Sequence, residues 1–155
     1  MTVRGFFSSA HPWQSTSALT PVPVLGAFVY IGAIDLHFRM RFLVDTGADM
    51  TVLNPRDSVR RFSDTDWRQV RQFPATRVGG AGALQLHYRV PSIVILPHGD
   101  GRVESVPIDL WVAEPGGENR DIESLLGRDV LQHYESVFVG VAELRLEPLS
   151  DVYTA

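Results

Sequence analysis

The sequence predicts an all-β domain, and three observations carry that prediction. Apolar and polar residues alternate along several short stretches, the period-2 signature of strands with one buried face. Turn residues punctuate those stretches at short intervals. Helical spacing is confined to brief turns in the middle and one segment late in the chain. Many short strands with one late helix point to a closed barrel or a sandwich.

Residues 1–20 mix Ser, Thr, Pro and Gly around Trp13 and read as a flexible N-terminal arm. The domain is expected over residues 21–149, with a short tail at 150–155. Residues 24–31 are rich in β-branched and aromatic side chains, and Gly32-Ala33 supplies a turn. Leu36, Phe38, Met40 and Phe42 then alternate with His37, Arg39 and Arg41, a strand with one buried face. It runs on into Leu43-Val44, where both faces become apolar and the chain enters the core. Asn54-Pro55-Arg56-Asp57 breaks the pattern. Residues 58–72 are the most charged stretch and fit short helical turns around Val59 and Trp67–Val70.

A glycine-rich run follows, Val78-Gly79-Gly80-Ala81-Gly82-Ala83. Residues 90–96 and 103–112 read as strands joined through Pro97-His98-Gly99-Asp100-Gly101, because Asp-Gly between apolar runs is a hairpin signal. Pro115-Gly116-Gly117 closes that unit. Helical spacing extends over 125–134, with a start near residues 121–124, and strands at 136–141 and 143–147 finish the domain.

Composition narrows the function. A chain of 155 residues fits one domain and can bury a core without a metal or disulfide. Apolar residues make up 45% and charged residues 21%, which is globular rather than disordered composition. A net charge of −4 lacks the basic stripe of a nucleic-acid binder. The absence of cysteine excludes disulfides, thiol catalysis and thiolate metal sites. His11, His37, His87, His98 and His133 have no metal-ligand spacing, so no metal and no cofactor is expected. The first residues hold no signal-peptide-length apolar region, and the longest apolar stretch, 22–34, is too short to span a bilayer. The expectation is a cytoplasmic chain with no membrane contact in these residues.

The chemistry concentrates in Phe42-Leu43-Val44-Asp45-Thr46-Gly47-Ala48-Asp49-Met50-Thr51-Val52-Leu53. An acid directly after three apolar strand residues is costly to bury alone. It becomes reasonable if backbone N–H groups hold the carboxylate at a turn. Gly47 lets an N–H approach where a Cβ would interfere, the Thr46 hydroxyl can bond across the turn, and Ala48 leaves a groove open. Taken alone, Asp45-Thr46-Gly47 also fits a surface turn; by chance the tripeptide recurs in roughly one chain of this length in fifty. Two more features accompany it: the glycine-rich run at 78–84, and Leu125-Leu126-Gly127-Arg128-Asp129-Val130-Leu131.

In that order, these motifs resemble the retropepsin-like aspartic proteases, the single-domain relatives of pepsin, over roughly residues 22–147. The resemblance implies a closed β-barrel or sandwich half with one short C-terminal helix and a glycine-rich flap hairpin. It implies that Asp45 is the catalytic aspartate, that Thr46 braces two active-site loops across a dimer axis, and that Gly47 lines the groove. Asp49 and Arg128 match a charged pair tying the loop to the helix, and Leu126-Gly127 the element through which the active-site strand passes. Gly79, Gly80, Ala81 and Gly82 match the flap, which with Ala48 and Asp49 contacts bound peptide. The segment between Leu53 and Val78 is longer and more charged than in compact viral members, and the arm is long.

On that resemblance, one Asp-Thr-Gly in 155 residues is half of a two-carboxylate site. The implied partners are therefore a second copy of the chain and a peptide or protein substrate, with no nucleic acid. A non-catalytic dimerisation or peptide-binding module of the same fold is the alternative, and a barrel holding a small ligand in its mouth a more distant one.

Overall fold

The computed structural model describes residues 3–8, 22–80, 83–139 and 143–149. Strand β1 is Val3–Ser8, β2 Val22–Ile31 and β3 Leu36–Val44. The β2–β3 hairpin is the one the alternation predicts: Met40 and Phe42 are buried while Arg39 and Arg41 face solvent. Its turn is a 3-10 turn at Gly32–Ile34 that closes on Asp35 in the left-handed region, φ 48°. Strand β4 is only Val52–Leu53. Beyond it lie helices α1 (Pro55–Ser58) and α2 (Asp64–Val70). Proline at the first position of α1 costs no hydrogen bond there. Ser63 caps α2 in a reciprocal box with Asp66, and Trp67 and Val70 turn its apolar side to the core.

Strands β5 (Ala75–Gly80) and β6 (Ala83–Pro97) form a hairpin, with Gly80 opposite Ala83. The 15-residue β6 then pairs along its length with β7 (Val103–Ala113), across a turn where Gly101 has φ 84°. Strand β8 is Leu125–Leu126, helix α3 Arg128–Leu131, β9 Tyr134–Val139 and β10 Glu143–Pro148. Among the described residues the strand order is β5-β6-β7-β4-β8-β3-β2-β1-β10-β9. A further pairing of β6 with β2, Phe28 to Ile95 through Tyr30 to Ile93, brings the sheet back on itself. The fold is all-β, with its core inside the closed circuit β2-β3-β8-β4-β7-β6. Leu25, Val29, Phe42, Leu53, Leu96, Leu110, Val112 and Leu126 fill that interior. Each such side chain contributes about 1.5–3 kcal/mol by leaving water.

Two expectations change. Val3–Ser8, read as arm, instead pairs with β10 and β2, and Val3 is buried. Six residues gave too short a pattern beside the Ser/Pro-rich stretch that follows. Residues 9–21 and 150–155 lie outside the described residues. The late helix is confined to Arg128–Leu131: Leu125-Leu126 is a strand and Tyr134 opens another, because cross-sheet pairing overrides helical spacing at both ends. Helices α1 and α2 fall at the short helical turns expected around Val59 and Trp67–Val70, and α3 is the short C-terminal helix. None of the described helices is long and apolar enough to cross a membrane.

Candidate active site

Strand β3 delivers Asp45 to the start of a turn, and β8 fixes where that turn begins. The two strands are parallel, Leu43 opposite Leu125 and Val44 opposite Leu126. The Leu43 N–H donates to the Ser124 carbonyl at 2.9 Å, and the Asp45 N–H donates to the Leu126 carbonyl at 3.1 Å. The other edge of β8 pairs with β4 at Val52, and β4 runs parallel to β7. The chain thus leaves along β3, turns through residues 45–51 and returns in β4, with β8 seated between the two limbs.

Inside the turn the Gly47 N–H donates to Oδ1 of Asp45 at 2.9 Å, and the Ala48 N–H to the Asp45 carbonyl at 3.2 Å. A Cβ on Gly47 would lie 3.2 Å from that same Oδ1, so the glycine leaves the carboxylate room. Asp45 is half-buried, and Thr46 and Gly47 are exposed. The expected hydroxyl bond across the turn does not form: the Thr46 side chain stands in solvent, with no hydrogen bond among the described residues.

The far half of the turn is held from α3. The Arg128 N–H donates to the Ala48 carbonyl at 2.9 Å and the Asp129 N–H to the Asp49 carbonyl at 3.2 Å. The Arg128 guanidinium pairs with the Asp49 carboxylate, both side chains being largely exposed. Gly127 sits under this crossing: a Cβ there would lie 2.4 Å from the Met50 carbonyl oxygen and 3.0 Å from that of Ala48. Only glycine permits that approach.

Two residues without an assigned role do the most bracing. Thr51, fully buried, donates its hydroxyl to Oδ1 of Asp129 at 2.7 Å and its N–H to Oδ2 at 3.0 Å. The same hydroxyl accepts from the Gly127 N–H at 3.1 Å. The signal was present as an acid at the start of a short helix, where a carboxylate can accept backbone N–H groups; Asp129 takes the Val130 N–H at 3.0 Å.

The structure therefore brings Asp45, Thr46, Gly47, Ala48, Asp49, Leu126, Gly127 and Arg128 into one locus. Gly79 and Gly80 lie apart from it in sequence, at the end of the β5–β6 hairpin, while Ala81 and Gly82 fall outside the described residues. The base of that hairpin carries its own polar network. Glu114 accepts from Nη2 and Nε of Arg71, at 2.6 and 3.1 Å, and from the Tyr88 hydroxyl at 2.7 Å. The Arg71 bonds, reinforced by Tyr88, hold Glu114 below the usual carboxyl range against a smaller opposing effect of burial. Burial, then Glu114, pushes Tyr88 up.

No family model and no curated relative matches this chain. Among solved structures it is similar to a retropepsin-like aspartic protease from Rickettsia conorii. The identity is 18%, the coverage 81% of each chain and the TM-score 0.48.

Proposed function

We propose that this chain is one half of an aspartic endopeptidase, in which Asp45 and its counterpart from a second copy share one proton. The observation that carries the reading is the Gly47 N–H on Oδ1 of Asp45 at 2.9 Å, at the open end of a strand braced on both sides. The same i to i+2 bond occurs in an ordinary hairpin turn at Asp100, whose Oδ1 accepts the Arg102 N–H at 3.0 Å. What favours the reading at Asp45 is that its turn leaves a core strand and is held by β8 and α3. Two carboxylates roughly 3 Å apart cannot both ionise, so the pair titrates as a unit. The ionised member takes a proton from water attacking the scissile carbonyl, and the protonated member donates to the developing oxyanion or leaving nitrogen. A two-fold axis beside Thr46 supplies the second acid, and an exposed Thr46 is free to meet its mate there.

The substrate in this reading is an extended peptide bound by strand-like hydrogen bonds from Gly47, Ala48, Asp49 and the glycine tip of the β5–β6 hairpin, which acts as a flap. The test is Asp45→Asn. It removes the shared proton system while keeping an acceptor for Gly47, so the variant should keep its secondary structure and dimer mass while losing cleavage of a mixed peptide library at pH 4–7. Turnover persisting in the purified variant would refute the assignment.

A further inference from the structure

Beside the Asp45 turn lies a groove of about 450 Å³, lined by Leu43, Glu118, Asp121, Ile122, Glu123 and Leu125. That size falls within the range of ligand clefts, roughly 300–1,000 Å³. Phe42 and Val44 point into the core, so Leu43 and Asp45 share the outward side of the strand end. Leu43 and Leu125 are cross-strand neighbours and, with Ile122, make an apolar floor. The rim is anionic. Glu123 is already matched, its carboxylate 2.9 Å from Arg56. Glu118 and Asp121 are exposed and have no cationic partner among the described residues. Of the nearby cations, Arg128 is engaged with Asp49, while Arg56, Arg60 and Arg120 line a second groove that Asp121 also borders, with no ion pair to Asp121 among the described residues.

The wall carrying those two acids is held from behind. Buried Asn119 accepts the Gly116 N–H at 2.9 Å and donates to the Glu114 carbonyl at 2.9 Å. Asn54 donates to the Glu123 carbonyl at 2.6 Å, and the Ser124 hydroxyl to Asp57 at 2.7 Å. The loop between β7 and β8 thus presents its acids from a fixed frame.

We propose that this groove is a specificity subsite for a lysine or arginine side chain of the peptide substrate. An apolar floor ending in unpaired carboxylates matches an aliphatic stem ending in a cation. A leucine there would cover the floor and leave both acids partly desolvated, and a glutamate would be repelled. The inference rests on reading Asp45 as half of a peptidase centre, and the test separates the two.

Two measurements on the full chain decide it: product sequencing after cleavage of a randomised peptide library, and equilibrium binding of fluorescent peptides to Asp45→Asn. The binding peptides carry Arg, Leu or Glu at one position, and both experiments are repeated with Glu118→Gln plus Asp121→Asn. The expected result is a roughly three- to tenfold preference for Lys or Arg over Leu at one position, weakened by salt and lost in the double variant. Cleavage without that preference, or with a preference the double variant keeps, overturns the subsite and leaves the peptidase standing. Absence of cleavage with selective, Glu118- and Asp121-dependent binding of the Arg peptide overturns the peptidase and supports the groove. Neither cleavage nor selective binding overturns both.

Discussion

The Thr51 hydroxyl lies 2.7 Å from Oδ1 of Asp129, in a partly buried bond between residues 78 positions apart. The Thr51 hydroxyl also receives the Gly127 N–H, so one side chain joins the end of the turn, the β8–α3 junction and the helix start. Thr51→Val keeps the shape and removes the hydroxyl, leaving the Gly127 N–H without its partner. The expected loss is about 1–3 kcal/mol in urea unfolding, with Thr51→Ser retaining most of the stability. Asp49→Asn, which breaks the largely exposed pair with Arg128, should cost about 1 kcal/mol or less. A larger effect from Asp49→Asn than from Thr51→Val would reverse this ranking of the two braces.

Gly127→Ala tests the crossing directly. Its Cβ would meet a backbone carbonyl at 2.4 Å, which no rotamer change relieves, so about 3 kcal/mol or more of stability should be lost. Gly26→Ala is the control: it has open space around the added methyl and lies within a strand. It should be neutral or mildly stabilising. Similar unfolding midpoints for the two variants would show that the turn can shift away from Gly127.

Acid should weaken the fold in two stages. Burial holds His87 below the ordinary histidine value of about 6.5. As pH falls below that value the unfolded chain gains a proton the folded one resists, and stability declines. Glu114, depressed mainly by its bonds from Arg71, stabilises the fold above about pH 4.5, and that contribution disappears as pH drops through its lowered value. Chemical denaturation from pH 7 to about pH 3 should show Glu114→Gln less stable than wild type at neutrality, by about 1 kcal/mol or less given solvent screening. The two curves should converge in acid. A constant gap would mean that the network does not depend on the Glu114 charge.

If the second acid comes from another copy, specific activity falls on dilution in step with dimer mass, and an inactive Asp45→Asn chain mixed in excess should poison the wild type. Activity that stays constant in a proven monomer would remove the two-chain model.

The site was readable where its residues are adjacent in sequence. Asp45, Thr46 and Gly47 sit together in the chain, and an acid after three apolar strand residues is conspicuous at any distance from its supports. The β2–β3 and β6–β7 hairpins were legible because each has a local turn and a regular alternation. Strands β4 and β8 were not, since two residues cannot display a period and their identity comes only from what they pair with. Thr51 and Asp129 were missed for the same reason: each is unremarkable until the fold brings them together. Val3–Ser8 is another case, taking its strand character from β10 at the opposite end of the chain.

That long separation also bears on synthesis. The cradle of Asp45 includes β8 and α3, so the acid emerges well before the segments that hold it. At a translation pace of roughly 5–20 residues per second, the 78 positions from Thr51 to Asp129 take about four to sixteen seconds. During that interval the edge of β3 that pairs with β8 has no partner strand, and Leu43 lacks its neighbour Leu125. The turn around Asp45 therefore takes its final shape only after β8 and α3 have been made.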